Sequence, residues 1–190
     1  MSETKTQVQR MIDRLEKDSA EPAPSPGAGF VVRRARREDI PAIVALVRKA
    51  TRAQTGVDQA GVMDWLFGKG VVVAMQGQVA VGVAAWQAEN LLSVTDVFYV
   101  APARLLAEVG AALLAAIEAE AHVLMCEANV LLLPPGTSRT TRTFLHKQGY
   151  EPRSFGELHR IWREVLSDLV SEVSELMVKR LREKMVMAPI

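Results

Sequence analysis

Apolar residues fall along this chain in short blocks, some alternating with polar ones and some recurring every three or four positions, the two periods of strands and helices. Phe30 to Arg34 reads as a strand. A helix follows, begun near Glu38 and Asp39, with Pro41 in its first turn and Ile43, Val44, Leu46 and Val47 behind it. A second helix is expected over Asp58 to Phe67, then a hairpin of Val71 to Met75 and Val79 to Gln87 turning at Gly77. Leu91 to Val100 is long enough for the next strand. After Pro102 come an Ala- and Leu-rich helix from about Leu106 to Ala121, a strand over Ala128 to Leu133, a break at Pro134-Pro135-Gly136, and a helix from about Ser138 to Gln148. A final strand is expected near Phe155 to Trp162. The order β-α-α-β-β-β-α-β-α-β makes residues 30–163 one α/β domain.

Both ends carry further patterns. Val8, Met11, Ile12 and Leu15 recur at helical spacing among charges, which predicts an amphipathic helix within residues 1–20. Such a stripe needs a surface to lie on. Residues 21–29 hold three prolines and two glycines, so they read as a semi-extended linker. Residues 164–190 read as a C-terminal amphipathic helix, with Val173, Leu176, Met177, Leu181 and Met185 on its apolar side. At 1.5 Å per residue such a helix would run roughly 37 Å, beyond a small domain's sheet. Packing back on the domain and contact with a partner or second copy are equal readings of that face.

Composition narrows the function. Hydrophobic residues make up 49% and charged residues 24% of the 190, a globular balance with room for one core. Lys+Arg 23 against Asp+Glu 22 leaves a net charge of +1, so there is no general field for nucleic acid or an anionic membrane, and neither is expected as a partner. A lone cysteine, Cys126, and three histidines without ligand spacing suggest a reducing, cytoplasmic setting and no structural metal. No apolar run approaches the roughly 18 residues of a membrane helix.

Two blocks carry a family resemblance. Asp96-Val-Phe-Tyr-Val-Ala-Pro-Ala-Arg-Leu-Leu-Ala-Glu-Val-Gly-Ala-Ala-Leu-Leu, and Ala128 to Leu133 followed by Arg142-Thr-Phe-Leu-His-Lys-Gln-Gly-Tyr-Glu, resemble the GNAT superfamily of acyl-CoA N-acyltransferases in order and spacing. The resemblance implies a mixed central sheet with flanking helices, to which the terminal helices would be extensions. It also implies a strand ending in Val-x-Pro, here Val100 and Pro102, running into an Arg/Gln-x-x-Gly-x-Gly/Ala turn whose amides cradle the CoA pyrophosphate. Gly149 and Tyr150 match the family's closing Gly-Phe or Gly-Tyr pair.

The departures fall on the residues the family uses. Within the degenerate loop, which begins with Arg104, Leu105 stands at the Arg/Gln, Leu106 at the glycine that usually follows it and Glu108 at the first loop glycine, and only Gly110 keeps its place. A carboxylate such as Glu108 roughly 4 Å from a pyrophosphate charge would be repelled by about 4 kcal/mol at an effective dielectric of about 20. Leu145 stands where the family often has a tyrosine acid, and Ser138 where it often has an asparagine.

If the chain is an enzyme, Glu89 and Asp96 on neighbouring strands are the best general bases and His146 a substitute acid. Solvent-facing or structural roles are the competing reading of all three. Cys126, among apolar neighbours, reads as a buried thiol. Gly136-Thr-Ser-Arg-Thr-Thr-Arg reads as a helix cap with a basic first turn, or less simply as an anion cradle built on Arg139 and Arg142. The leading expectation is a GNAT-fold protein without acyl transfer, holding no cofactor and working through protein partners or self-assembly of its terminal helices. The sequence is also loosely similar to GNAT-like proteins of tailed bacteriophages, some carried in the virion. The alternatives are an active N-acetyltransferase using acetyl-CoA on an amine, and a small-ligand sensor without turnover.

Overall fold

The computed structural model describes residues 29–170 and 175–183. The N-terminal stripe of Val8, Met11, Ile12 and Leu15, nearly all of the linker, and Val173 and Met185 lie outside the described residues. The strands are β1 (Val31–Arg34), β2 (Gly70–Gln76), β3 (Val79–Glu89), β4 (Leu92–Val100), β5 (Ala128–Leu133), β6 (Glu151–Arg153) and β7 (Glu175–Arg180). The α-helices are α1 (Ile40–Ala50), α2 (Gln59–Gly68), α3 (Ala111–Val123), α4 (Arg139–Lys147) and α5 (Arg160–Leu166).

Local chemistry explains most of these boundaries. Asp58 accepts the Gly61 N–H at 3.0 Å and opens α2, and Ser138 accepts the Thr141 N–H at 3.1 Å and opens α4. Gly77 takes φ +61° in the β2–β3 turn, where a side chain would be strained. Asp39, before α1, takes both terminal nitrogens of Arg33 at 2.7 and 2.8 Å and the Arg36 N–H at 2.7 Å.

One seven-stranded sheet runs in the order β1-β2-β3-β4-β5-β7-β6. Among the described residues only β4 and β5 pair in parallel. On one face α1 and α2 cover β2, β3 and the end of β4, while α5 covers β4, β5 and β7 through Trp162 and Leu166. On the other face α3 packs over β2 and β3, and α4 over β5 and β7. No helix among the described residues is long and apolar enough to cross a membrane.

The chain departs from expectation after Tyr150. The strand expected near Phe155 to Trp162 is a 3₁₀ turn over Phe155–Glu157 followed by α5. Trp162 and Leu166 are both buried, and their i, i+4 spacing is helical. Of the helix expected across 164–190, the described residues show α5 ending at Leu166 and Glu175–Arg180 forming β7 inside the sheet between β5 and β6. Leu176 faces α5 while Met177 faces α4, so neither belongs to a free stripe. Leu181 packs against the α3 core. An interior strand is apolar on both faces, and such a short run cannot be told from a helix by periodicity. The unexpected β6 is three residues containing Pro152, and it occupies the sheet edge, where a missing donor is tolerated.

Candidate functional site

The sheet opens between β4 and β5. Their pairing covers only Leu92 to Thr95 against Ala128 to Leu131; beyond that, β4 pairs with β3 alone and Leu132 and Leu133 with β7 alone. The register between β3 and β4 jumps from Ala85↔Val97 to Trp86↔Thr95, which leaves Asp96 as the extra residue of a β-bulge. The bulge reverses the alternation of β4 at the point where the strands part. Val94 and Val97 consequently face the same side, while Phe98 turns to the side of α3 and α4.

Four groups meet on that second side. The Phe98 and Phe144 rings stack with centroids 6.3 Å apart and planes 15° from parallel, and Leu106 packs on the same cluster. Gly110 lies beneath them: a Cβ there would come 2.8 Å from Phe144 Cζ and 3.2 Å from Leu106 Cδ1. The absent side chain at Gly110 thus makes room for an aromatic ring.

The segment joining β4 to α3 is itself helical. Ala103–Leu105 form a 3₁₀ turn and Leu106–Gly110 a wider π turn running straight into α3. Within it Leu105 N–H donates to Pro102 O at 2.9 Å, Leu106 N–H to Ala103 O, and Ala111 N–H to Glu108 O. Leu105 and Leu106 are half-buried against the core, Val100 packs beside them, and Arg104 and Glu108 are exposed.

Leu145, opposite this segment on α4, is fully buried in the cluster shared with Leu131, Leu133 and Met177. Ser138 is occupied as the α4 cap, its hydroxyl 2.9 Å from Thr141 Oγ1. A chain of polar groups that sequence reasoning missed runs beneath. Thr95 Oγ1 donates to Asn129 Oδ1 at 3.2 Å, Asn129 Nδ2 to the Tyr150 hydroxyl at 2.9 Å, and that hydroxyl to Glu118 Oε1 at 2.9 Å. Lys179 Nζ closes the chain on Glu118 at 2.7 Å. Burial, reinforced by the Glu118 charge, holds the Tyr150 phenol far above its ordinary pKa, so it stays protonated and donating. The one signal in sequence was Asn129 inside an otherwise apolar strand, since a buried amide demands partners.

The proposed acid and base residues are not brought together. Glu89 is exposed at the β3–β4 turn, paired in register with Leu92, whereas Asp96 lies at the bulge in an ion pair with Lys69. His146 is exposed on α4 with Nδ1 3.3 Å from Glu151. Near Asp96, burial and then the Asp96 charge raise the Tyr99 phenol pKa. Cys126 is buried, and burial raises its thiol pKa. Arg142 Nε donates to Glu175 Oε2 at 2.5 Å, so its charge is paired with a carboxylate of β7, and Arg139 precedes it in the first turn of α4. Among the described residues no group of His, Cys, Asp and Glu could hold a metal ion. A cavity of about 600 Å³ lies elsewhere, on the β6 side, lined in part by Trp162, Arg153 and Arg180.

No family model and no curated protein matches the chain. Solved structures do. N-acetylglutamate synthase of Neisseria gonorrhoeae, solved with coenzyme A and N-acetyl-glutamate, superposes with TM-score 0.64 at 21% identity over 84% of this chain. The chain spans only 37% of that enzyme's length. A GNAT-family acetyltransferase of Staphylococcus aureus Mu50 gives 0.63 at 13% identity, covering 80% of this chain and 99% of its own. An acetyltransferase described as putative, from Salmonella typhimurium with acetyl-CoA, gives 0.60 at 18% identity, covering 86% and 100%. The chain has the GNAT fold: a mixed seven-stranded sheet with flanking helices.

Proposed function

We propose that this chain uses the GNAT fold without acyl transfer, as a structural or interaction module. The observation that carries the reading is the segment from Leu105 to Gly110. A pyrophosphate cradle needs bare, converging amides and a close backbone approach. Here Leu105 and Leu106 are turned into the core, the Leu105, Leu106 and Ala111 N–H groups donate within the turns, and Phe144 lies over Gly110. Glu108 adds a carboxylate where the ligand would bring negative charge. The residues therefore do not fit coenzyme A, and no catalytic step is drawn through it. Leu145 has no proton to give a departing thiolate.

A second reading, N-acetyltransfer from acetyl-CoA to an amine, is favoured by the parting of β4 and β5 and by structural neighbours that were solved with coenzyme A or acetyl-CoA. In that reading Asp96, at the bulge, is the placed carboxylate. Calorimetric titration of the full chain with acetyl-CoA separates the two. No heat of binding is expected up to roughly millimolar ligand, which corresponds to about 4 kcal/mol of binding free energy. A micromolar dissociation constant would overturn the non-catalytic reading in favour of the enzyme.

A further inference from the structure

The cavity of about 600 Å³ beside β6 has a size that suits a small organic molecule. It forms where β6 stops short of its neighbour. Glu151 pairs with Val178, so Lys179 and Arg180 carry β7 two residues past the start of β6. The chain enters β6 from α4 through Gly149 at φ +87°, a conformation open to glycine and strained for a side chain. On the opposite wall the 3₁₀ turn over Phe155–Glu157 and the start of α5 bring Leu158, His159 and Trp162 to the gap.

The lining divides by chemistry. Leu158, Trp162 and Val178 supply an apolar floor, and all three belong to the core under α5. The rim is charged, and most of its charges already have partners. Lys179 is paired with Glu118, Glu151 lies 3.3 Å from His146 Nδ1, and Glu157 accepts the Ser154 N–H at 2.8 Å. Hydrogen bonds from Ser154, with a smaller contribution from the Arg153 charge, hold the Glu157 carboxyl below its ordinary pKa. Arg153 and Arg180 make no hydrogen bond or ion pair among the described residues. Arg153 stands opposite Leu176 in register and Arg180 two residues beyond Val178, so both share the α5 face of the sheet with Trp162.

Two unpaired guanidiniums above an apolar floor define a ligand with an acid at one side and a hydrophobic body. Glu151 and Glu157 on the same rim oppose a doubly charged phosphate, whereas a single carboxylate matches the guanidinium fork bidentately. We propose that this cavity binds a small organic carboxylate, with its acid group on Arg180 and Arg153 and its apolar or aromatic body against Leu158, Trp162 and Val178. The site goes beyond the functional reading above and does not rest on it. Arg180 pairs with Ala128 at the first residue of β5, about 10 Å along the strand from Leu131, past which β4 and β5 part.

Calorimetric titration of the full chain with naphthalene-2-carboxylate at neutral pH tests the proposal, and acetyl-CoA plays no part in it. Saturable one-to-one binding is expected with a dissociation constant on the order of 0.1 mM. The uncharged naphthalene-2-carboxamide should bind at least about tenfold more weakly. Arg180→Glu should weaken the carboxylate by about tenfold or more. Arg48→Glu, an exposed charge reversal on α1, should leave the affinity as it was. Backbone amide resonances of Arg153, Leu158, His159 and Arg180 should move during the titration while those of Phe98 and Leu106 stay in place. Where Arg180→Glu fails to fold, Arg180→Gln removes the charge with less disturbance, and an unchanged affinity in that variant overturns the proposal. Absence of binding up to roughly 5 mM, equal affinity for the carboxamide, or shifts confined to the opening between β4 and β5 would each overturn it as well.

Discussion

The Tyr150 hydroxyl is buried between an amide that donates to it and a carboxylate that receives from it. Asn129 is fully buried, so removing the hydroxyl strands its Nδ2 donor and takes one donor from the half-buried Glu118. Tyr150→Phe keeps the ring and its packing, and should nevertheless cost about 1–3 kcal/mol of stability, read from urea midpoints at constant m. A loss below about 0.5 kcal/mol would mean that the chain from Thr95 to Lys179 contributes nothing as a unit. Asp39 makes a different demand. Hydrogen bonds from Arg33, helped by the Arg36 N–H and opposed by burial, hold its pKa below the ordinary 3.8. A depressed folded-state value means that the carboxylate's contribution is present above the unfolded value and lost as pH falls through the folded one. Asp39→Asn should therefore lower stability by about 2 kcal/mol at neutral pH. The gap between variant and parent should narrow as pH drops below 3.8, and denaturant midpoints measured at neutral and acid pH check it. A gap that persists in acid would place the effect in packing.

Among the elements, β7 separates two accounts of the C-terminal region. As a helix it could be removed and leave a folded domain; as a strand it joins β5 to β6 over six paired residues and seats Leu176 and Met177 in two different clusters. Ending the chain after Leu166 deletes that strand, removes Lys179 and with it the ion pair to Glu118, and exposes the open edge of β5 and the apolar faces under α4 and α5. The truncated chain should fail to unfold cooperatively, giving no sharp thermal transition and strong binding of a hydrophobic dye. A cooperative, monomeric product would show that β7 is dispensable and return the terminal segment to the role of an appendage.

For the molecule as a whole, the same sheet serves both readings of function, because a parting between two parallel strands is a property of backbone pairing and not of chemistry. What discriminates them is how the parting is lined. Phe98, Phe144 and Leu106 line it with apolar surface, and the amides of residues 105, 106 and 111 are already in use. Local signals in the sequence determined much of this. Proline and acidic residues began α1, Asp58 and Ser138 capped α2 and α4, Gly77 turned the first hairpin, and β5 stood out as an apolar run bounded by a proline break. The replacement of loop glycines by Leu106 and Glu108, and of a tyrosine by Leu145, was equally legible, because substitutions in a spaced motif need no coordinates to be seen. Tertiary structure alone decided the rest. Glu175 to Arg180 became a strand because β5 and β6 offered edges to pair with, which no local periodicity encodes. Glu89 and Asp96 came apart because the β3–β4 hairpin puts one at its tip and the other at a bulge. Gly110, which reads in sequence as the last survivor of a phosphate loop, is required by a phenylalanine 34 positions further along the chain, and only folding brings that ring onto it.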